Sequence, residues 1–201
     1  MSTLTFPALS RTGPSSWAWR KLSNSQTFES PLTRGVQTLA LPGARWAVTA
    51  TWDNLQAEDA ALLRGFLASL RGTAGRFFLA NQGHRQRGSA AGTPLINGAA
   101  QTGASLDTDG WIPGATLLVG DFVGYNAGAE LRMVVADATA DGTGAMSLSL
   151  DEPIRVSPAD DSALVVTSPT CVMRLNGDEI GWSNLIGRVS GFTLDAVEAF
   201  A

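Results

Sequence analysis

The sequence predicts a mainly β protein with one α-helix and a small β module inserted into a larger β domain, and three observations lead there. Glycine occurs 22 times and proline 9 times in 201 residues, a turn-rich composition that favours short strands. From Ala44 to Trp52 the residues alternate, with Trp46, Val48, Ala50 and Trp52 on one face, the period of a half-buried strand. One stretch departs from this pattern: Leu63, Phe66, Leu67 and Leu70 recur at helical spacing and form a single apolar stripe.

Upstream of the strongest strand, Trp17, Trp19 and Leu22 are followed by Val36, Leu39 and Leu41 in a segment bounded by Gly35 and Pro42-Gly43. Two or three further strands are expected there. Asp53 and Asn54 offer an N-cap for a helix over about residues 56–71, and Glu58 and Asp59 put negative charge in its first turn. Arg71 falls in its last turn, and Gly72 suits the left-handed residue that ends many helices. Gly75 then releases the chain into the apolar run Arg76 to Leu79.

Residues 81–105 lose periodicity and fill with glycine, alanine, serine and asparagine, the signature of a long excursion from the first core. Beyond it, strands are expected at Thr116 to Val119, Phe122 to Tyr125, Leu131 to Ala136 and Met146 to Leu150. Short strands at close spacing suggest a small barrel-like module. After Pro169, strands are expected at Cys171 to Leu175 and from Gly191 to Phe200, too little chain for a core of its own. The division is therefore residues 1–83 plus 171–201 as the main domain, with residues 84–170 inserted. On this reading a short Gly/Ser linker can replace residues 88–167 and leave the main domain folded.

The formal charge of −4 is unevenly spread. Residues 1–83 carry 8 basic and 4 acidic side chains, net +4, whereas residues 84–170 carry 4 and 10, net −6. The acidic balance argues against nucleic-acid binding by bulk electrostatics. No run of about 18 apolar residues suggests a membrane span and no leader is apparent, so a soluble protein made inside the cell is expected. The single cysteine, Cys171, reads as a buried apolar residue, and the single histidine, His84, as a solvated hinge residue.

Motifs that carry chemistry are weak. The stretch DTDG, Asp107 to Gly110, lacks the later ligands of a calcium loop and reads as a turn. Asp151 and Glu152 are adjacent, and adjacent strand residues point to opposite faces. The glycines at 142 and 144 do not extend into a phosphate-binding loop. No enzyme, metal or cofactor is expected. Large aromatic side chains beside basic ones instead suggest subunit contacts, with Trp17, Trp19, Arg20, Lys21 and Arg34 as interface candidates.

The stretch from Ser23 to Leu79, including SNSQTFESPLTRGVQTLALPGARWAVTATWDN, together with LLVGDFVGYN, DEPIRVSPADDSALVV and CVMRLNGDEIGWSN, resembles the distal tail proteins of long-tailed bacteriophages and gene transfer agents. The resemblance implies a β-sandwich belt domain related to tail-tube proteins, carrying one helix, with a small β-barrel-like domain inserted before the last strands. It further implies a hexameric ring at the virion tail tip, assembled in the host cytoplasm, with the tail tube, hub and tape measure proteins as partners. No cofactor, membrane or sequence-specific nucleic acid is implied. The alternatives are a saccharide-binding module using Trp111 and Tyr125 and, more weakly, a hydrolase using Asp107, Asp121 or Glu152.

Overall fold

The structure, a computed structural model, describes residues 2–9, 13–185 and 189–200. The first part of the chain forms β1 (Leu4–Thr5), β2 (Ser16–Leu22), β3 (Ser25–Glu29), β4 (Val36–Ala40), β5 (Arg45–Gln56), α1 (Ala57–Leu70) and β6 (Phe77–Ala80). The middle contributes β7 (Gly92–Ile96), β8 (Ser105–Trp111), β9 (Thr116–Leu117), β10 (Phe122–Tyr125), β11 (Glu130–Met133), β12 (Ala138–Thr139) and β13 (Met146–Ser149). The chain ends in β14 (Thr170–Leu175), β15 (Trp182–Leu185) and β16 (Val189–Glu198).

Seven of these strands build one sheet in the order β1-β6-β14-β16-β5-β2, with β15 also on β16. The last strand is therefore central: β5 pairs along one edge of β16, while β15 and β14 pair with its first and second halves. Alternation explains the choice of face. Trp46, Val48, Ala50 and Trp52 of β5 and Phe192, Leu194 and Ala196 of β16 all enter one apolar core. Helix α1 lies over that face through Ala60, Leu63, Leu67 and Leu70, while Phe66 is half-buried against Phe6 and Phe77.

The helix ends differ from the sequence expectation. Asp53 and Asn54 remain in β5, at an irregularity in its pairing with β16 that resumes at Leu55 and Gln56, and no side chain caps the helix. At the other end Arg71, not Gly72, is the first left-handed residue, with φ of 54°. Gly72 follows at φ of 69°, and a Cβ there would lie 2.5 Å from an Asp178 oxygen, so both the backbone and the space favour glycine. That carboxylate accepts the Thr73 N–H at 2.8 Å, and hydrogen bonding from Thr73 holds it below the usual carboxylate range.

The middle of the chain does not close into a barrel. Its strands, two to seven residues long, divide among a three-stranded sheet β13-β8-β7 and the pairs β9–β12 and β10–β11. The DTDG stretch lies in β8 rather than in a turn, and β7 lies inside the segment expected to be an excursion. A second apolar core fills this region, with Ile96, Leu106, Leu117, Tyr125 and Leu148 fully enclosed.

The pair β10–β11 belongs to both cores. Phe122 and Leu131 join the main core and Met133 packs against it, whereas Val123 and Tyr125 join the second. One two-stranded unit thus divides its alternate residues between two interiors.

Candidate functional site

The interface candidates on β2 part company by strand alternation. Trp17 and Trp19 turn toward the main core, edge-on to Trp52 at 6.2 Å and to Trp46 at 6.1 Å between ring centroids. Lys21 also turns inward and binds Asp151 at 2.8 Å and Glu152 at 2.9 Å. These carboxylates converge because they sit in a bend rather than in a strand. Burial works to lower the Lys21 value, but the two carboxylates outweigh it and hold the ammonium above its ordinary range. Arg20 lies on the exposed face and donates to Thr49 Oγ1 at 3.0 Å.

Arg34 belongs to a different feature, the β3–β4 hairpin that leaves the sheet beside β2. Five residue pairs join its strands, from Ser25 with Ala40 to Glu29 with Val36. Arg34 takes a left-handed conformation at its turn and binds Glu29 at 3.0 Å. Every residue of both strands is exposed. Phe28 is 68% exposed, Val36 and Leu39 are 59% exposed, and Leu32 at the tip is 93% exposed. Sequence reasoning expected strands here but placed them with the main sheet. The available signal was weakness of pattern: SQTFE and VQTLA have too few apolar residues for a buried face.

At the opposite extreme is an ionic junction between the middle of the chain and the last strand. Glu130 accepts from Arg132 at 2.8 Å, from Tyr125 Oη at 3.1 Å and from the Val156 N–H at 3.0 Å. Arg155 donates to Glu198, whose other oxygen accepts the Trp46 N–H at 2.9 Å. The Trp46 indole N–H in turn donates to the Leu131 carbonyl at 3.1 Å. The Arg155 guanidinium lies 4.0 Å from the Phe200 ring centroid. Burial pushes the Tyr125 hydroxyl well above its ordinary range, so it stays a proton donor to Glu130.

Of the residues weighed for other chemistry, all but Asp107, which is exposed on β8, are engaged or enclosed. Trp111 is 4% exposed and Tyr125 fully buried, so neither presents a ring to a saccharide. Asp121 is buried and accepts three backbone N–H groups, from Arg87, Gly88 and Leu118. His84 is not solvated: it packs edge-on against Phe122 at 4.9 Å, with Nε2 3.8 Å from Asp121. Cys171 is buried as expected, and burial raises its thiol value. Among the described residues no group of three or more His, Cys, Asp or Glu side chains is placed to hold a metal ion. No helix of the described residues is long and apolar enough to cross a membrane. Comparison of the sequence with protein-family models and with curated proteins returned no match.

Proposed function

We propose that this chain is a structural subunit of a ring at the tip of a long bacteriophage-type tail, built on a belt domain of the tail-tube kind. The observation that supports it is the β3–β4 hairpin, exposed along both strands and bearing Phe28, Leu32, Val36 and Leu39. An isolated two-stranded hairpin is at best marginal in water, and unpaired strand edges are templates for another chain. Six copies meeting head to tail, each hairpin laid against the next subunit, would satisfy those edges and close a ring.

The saccharide alternative loses support, since both aromatic rings on which it stood are enclosed. The ring is tested by electron microscopy and light scattering of the purified chain, alone and in tail particles. Six-fold rings are expected, and the double variant Phe28→Ser/Leu39→Ser should lose them while staying folded. Particles that hold the chain as isolated single copies would overturn the reading.

A further inference from the structure

The dipeptide Asn-Gly occurs twice in the chain, at Asn97-Gly98 and at Asn176-Gly177. Both asparagines are exposed. An asparagine before glycine is open to a reaction of its own, because with no Cβ in the way the glycine nitrogen can reach the asparagine carboxamide carbon. Whether it does so depends on how firmly the intervening peptide group is held, and here the two sites differ.

The first is tied down. The Gly98 N–H donates to Asp160 Oδ1 at 2.7 Å, and the Asn97 N–H donates to the Asp107 carbonyl at 3.0 Å. The Gln101 carboxamide donates to the carbonyls of Asn97 and Gly98 at 3.0 and 3.1 Å. The second lies in the bend between β14 and β15. Its start is anchored where the Asn176 N–H donates to the Asp195 carbonyl at 3.0 Å, and its next hold is Asp178, which accepts the Thr73 N–H at 2.8 Å. Between those holds, neither the Asn176 carboxamide nor the Gly177 N–H has a hydrogen-bond partner among the described residues. A Cβ built on Gly177 would meet nothing within 4 Å.

We propose that Asn176 is a site of spontaneous deamidation in the folded protein and that the fold protects Asn97. The Gly177 nitrogen, its proton passed to solvent, bonds to the Asn176 carboxamide carbon. The carbon–nitrogen bond of the carboxamide then breaks, ammonia leaves, and a cyclic imide remains. Water opens the ring at either carbonyl, giving aspartate or, with the main chain rerouted through the β carbon, isoaspartate. One ammonia leaves, one water enters, and nothing is oxidised or reduced. The product adds a negative charge beside the exposed Asp178 and Glu179. This inference is independent of the ring proposal: either can fail while the other stands.

The test is peptide mapping by mass spectrometry of the full chain aged in mildly alkaline buffer, with isoaspartyl methyltransferase labelling to mark the rerouted linkage. The Asn176 peptide should gain the mass of an amide-to-acid conversion and take up the label while the Asn97 peptide stays unchanged. In denaturant the two peptides should react at similar rates. Gly177→Ala should slow the reaction several-fold without lowering the melting temperature, since its φ lies outside the left-handed region and its surroundings are open. Conversion of Asn97 as fast as Asn176 in the folded chain overturns the proposal. So does an Asn97 that stays slow in denaturant, or a Gly177→Ala chain that reacts as fast as wild type.

Discussion

The hairpins β3–β4 and β10–β11 are built alike and placed oppositely. Both are antiparallel pairs, of five and four registered residues respectively. The first is exposed at every strand position, whereas in the second only Met133 is not fully buried. Local pairing is therefore not what fixes a hairpin in this molecule. The second is held by two apolar cores and the Glu130–Arg132 and Arg155–Glu198 pairs, and nothing comparable among the described residues holds the first. Surface so poorly held within its own chain is suited to contacts made elsewhere.

The sharpest way to break this comparison is to remove the buried hairpin altogether. Replacing residues 88–167 with a Gly/Ser linker takes Phe122 and Leu131 out of the main core and strips Glu198 of Arg155. The sequence alone predicts a folded remainder; the structure predicts loss of cooperative unfolding, read by calorimetry. A cooperative melt near the wild-type temperature would show that the junction contributes little.

Next in size is Glu198→Ala, which leaves the buried Trp46 N–H without its acceptor and Arg155 with only Glu130, 3.8 Å away. A loss of about 3–5 kcal/mol is expected from denaturant unfolding, as for other broken buried pairs. Leu131→Ala and Leu70→Ala each empty a fully buried position, one on the hairpin and one on the helix. Each should cost about 2–5 kcal/mol, and half-buried Phe66→Ala less. Equal losses at Leu131 and Leu70 would confirm that the hairpin is as much a part of the main core as the helix.

Lys21→Met removes the tie between β2 and the bend at Asp151 and Glu152. Because the pair is partly solvated, about 1 kcal/mol is expected. The folded-state value of Lys21 is raised above 10.5, so its contribution is complete at neutral pH and fades as the pH climbs through that raised value. Melting curves of wild type and variant should therefore differ at pH 7 and converge in strong alkali. A constant difference would mean that packing of the lysine stem, not charge, is responsible. Smallest of all, Phe28→Ser and Leu39→Ser should change the stability of the isolated chain by no more than about 0.5 kcal/mol. A larger loss would mean that the exposed hairpin is held within its own subunit after all.

Much of the main sheet was legible in the sequence. Alternation at Trp46 to Trp52 and at Phe192 to Ala196 and the stripe at Leu63, Leu67 and Leu70 each name residues that the structure buries. The interface candidates were less legible. Trp17 and Trp19 beside Arg20 form a suggestive composition, but strand alternation, fixed by pairing with β5, turns the rings inward and leaves Arg20 outside. The difference between Asn97 and Asn176 was hidden as well, since the carboxylate that holds the Gly98 N–H is Asp160, 62 positions away.

What the sequence determined by itself is what short-range physics encodes: one helix among many strands, the face each strong strand buries, and the identity of Cys171 as a core residue. Periodicity and turn chemistry act over a few residues and need no partner to be read. Only the tertiary structure decided which strands share a sheet, that the middle strands form separate small sheets rather than a barrel, and that Lys21, Arg155 and Glu198 join distant segments. Those outcomes depend on which surfaces meet after the chain has folded back on itself. Two antiparallel hairpins therefore end as a core wall and an open arm, because burial depends on what lies opposite a strand as well as on the strand itself.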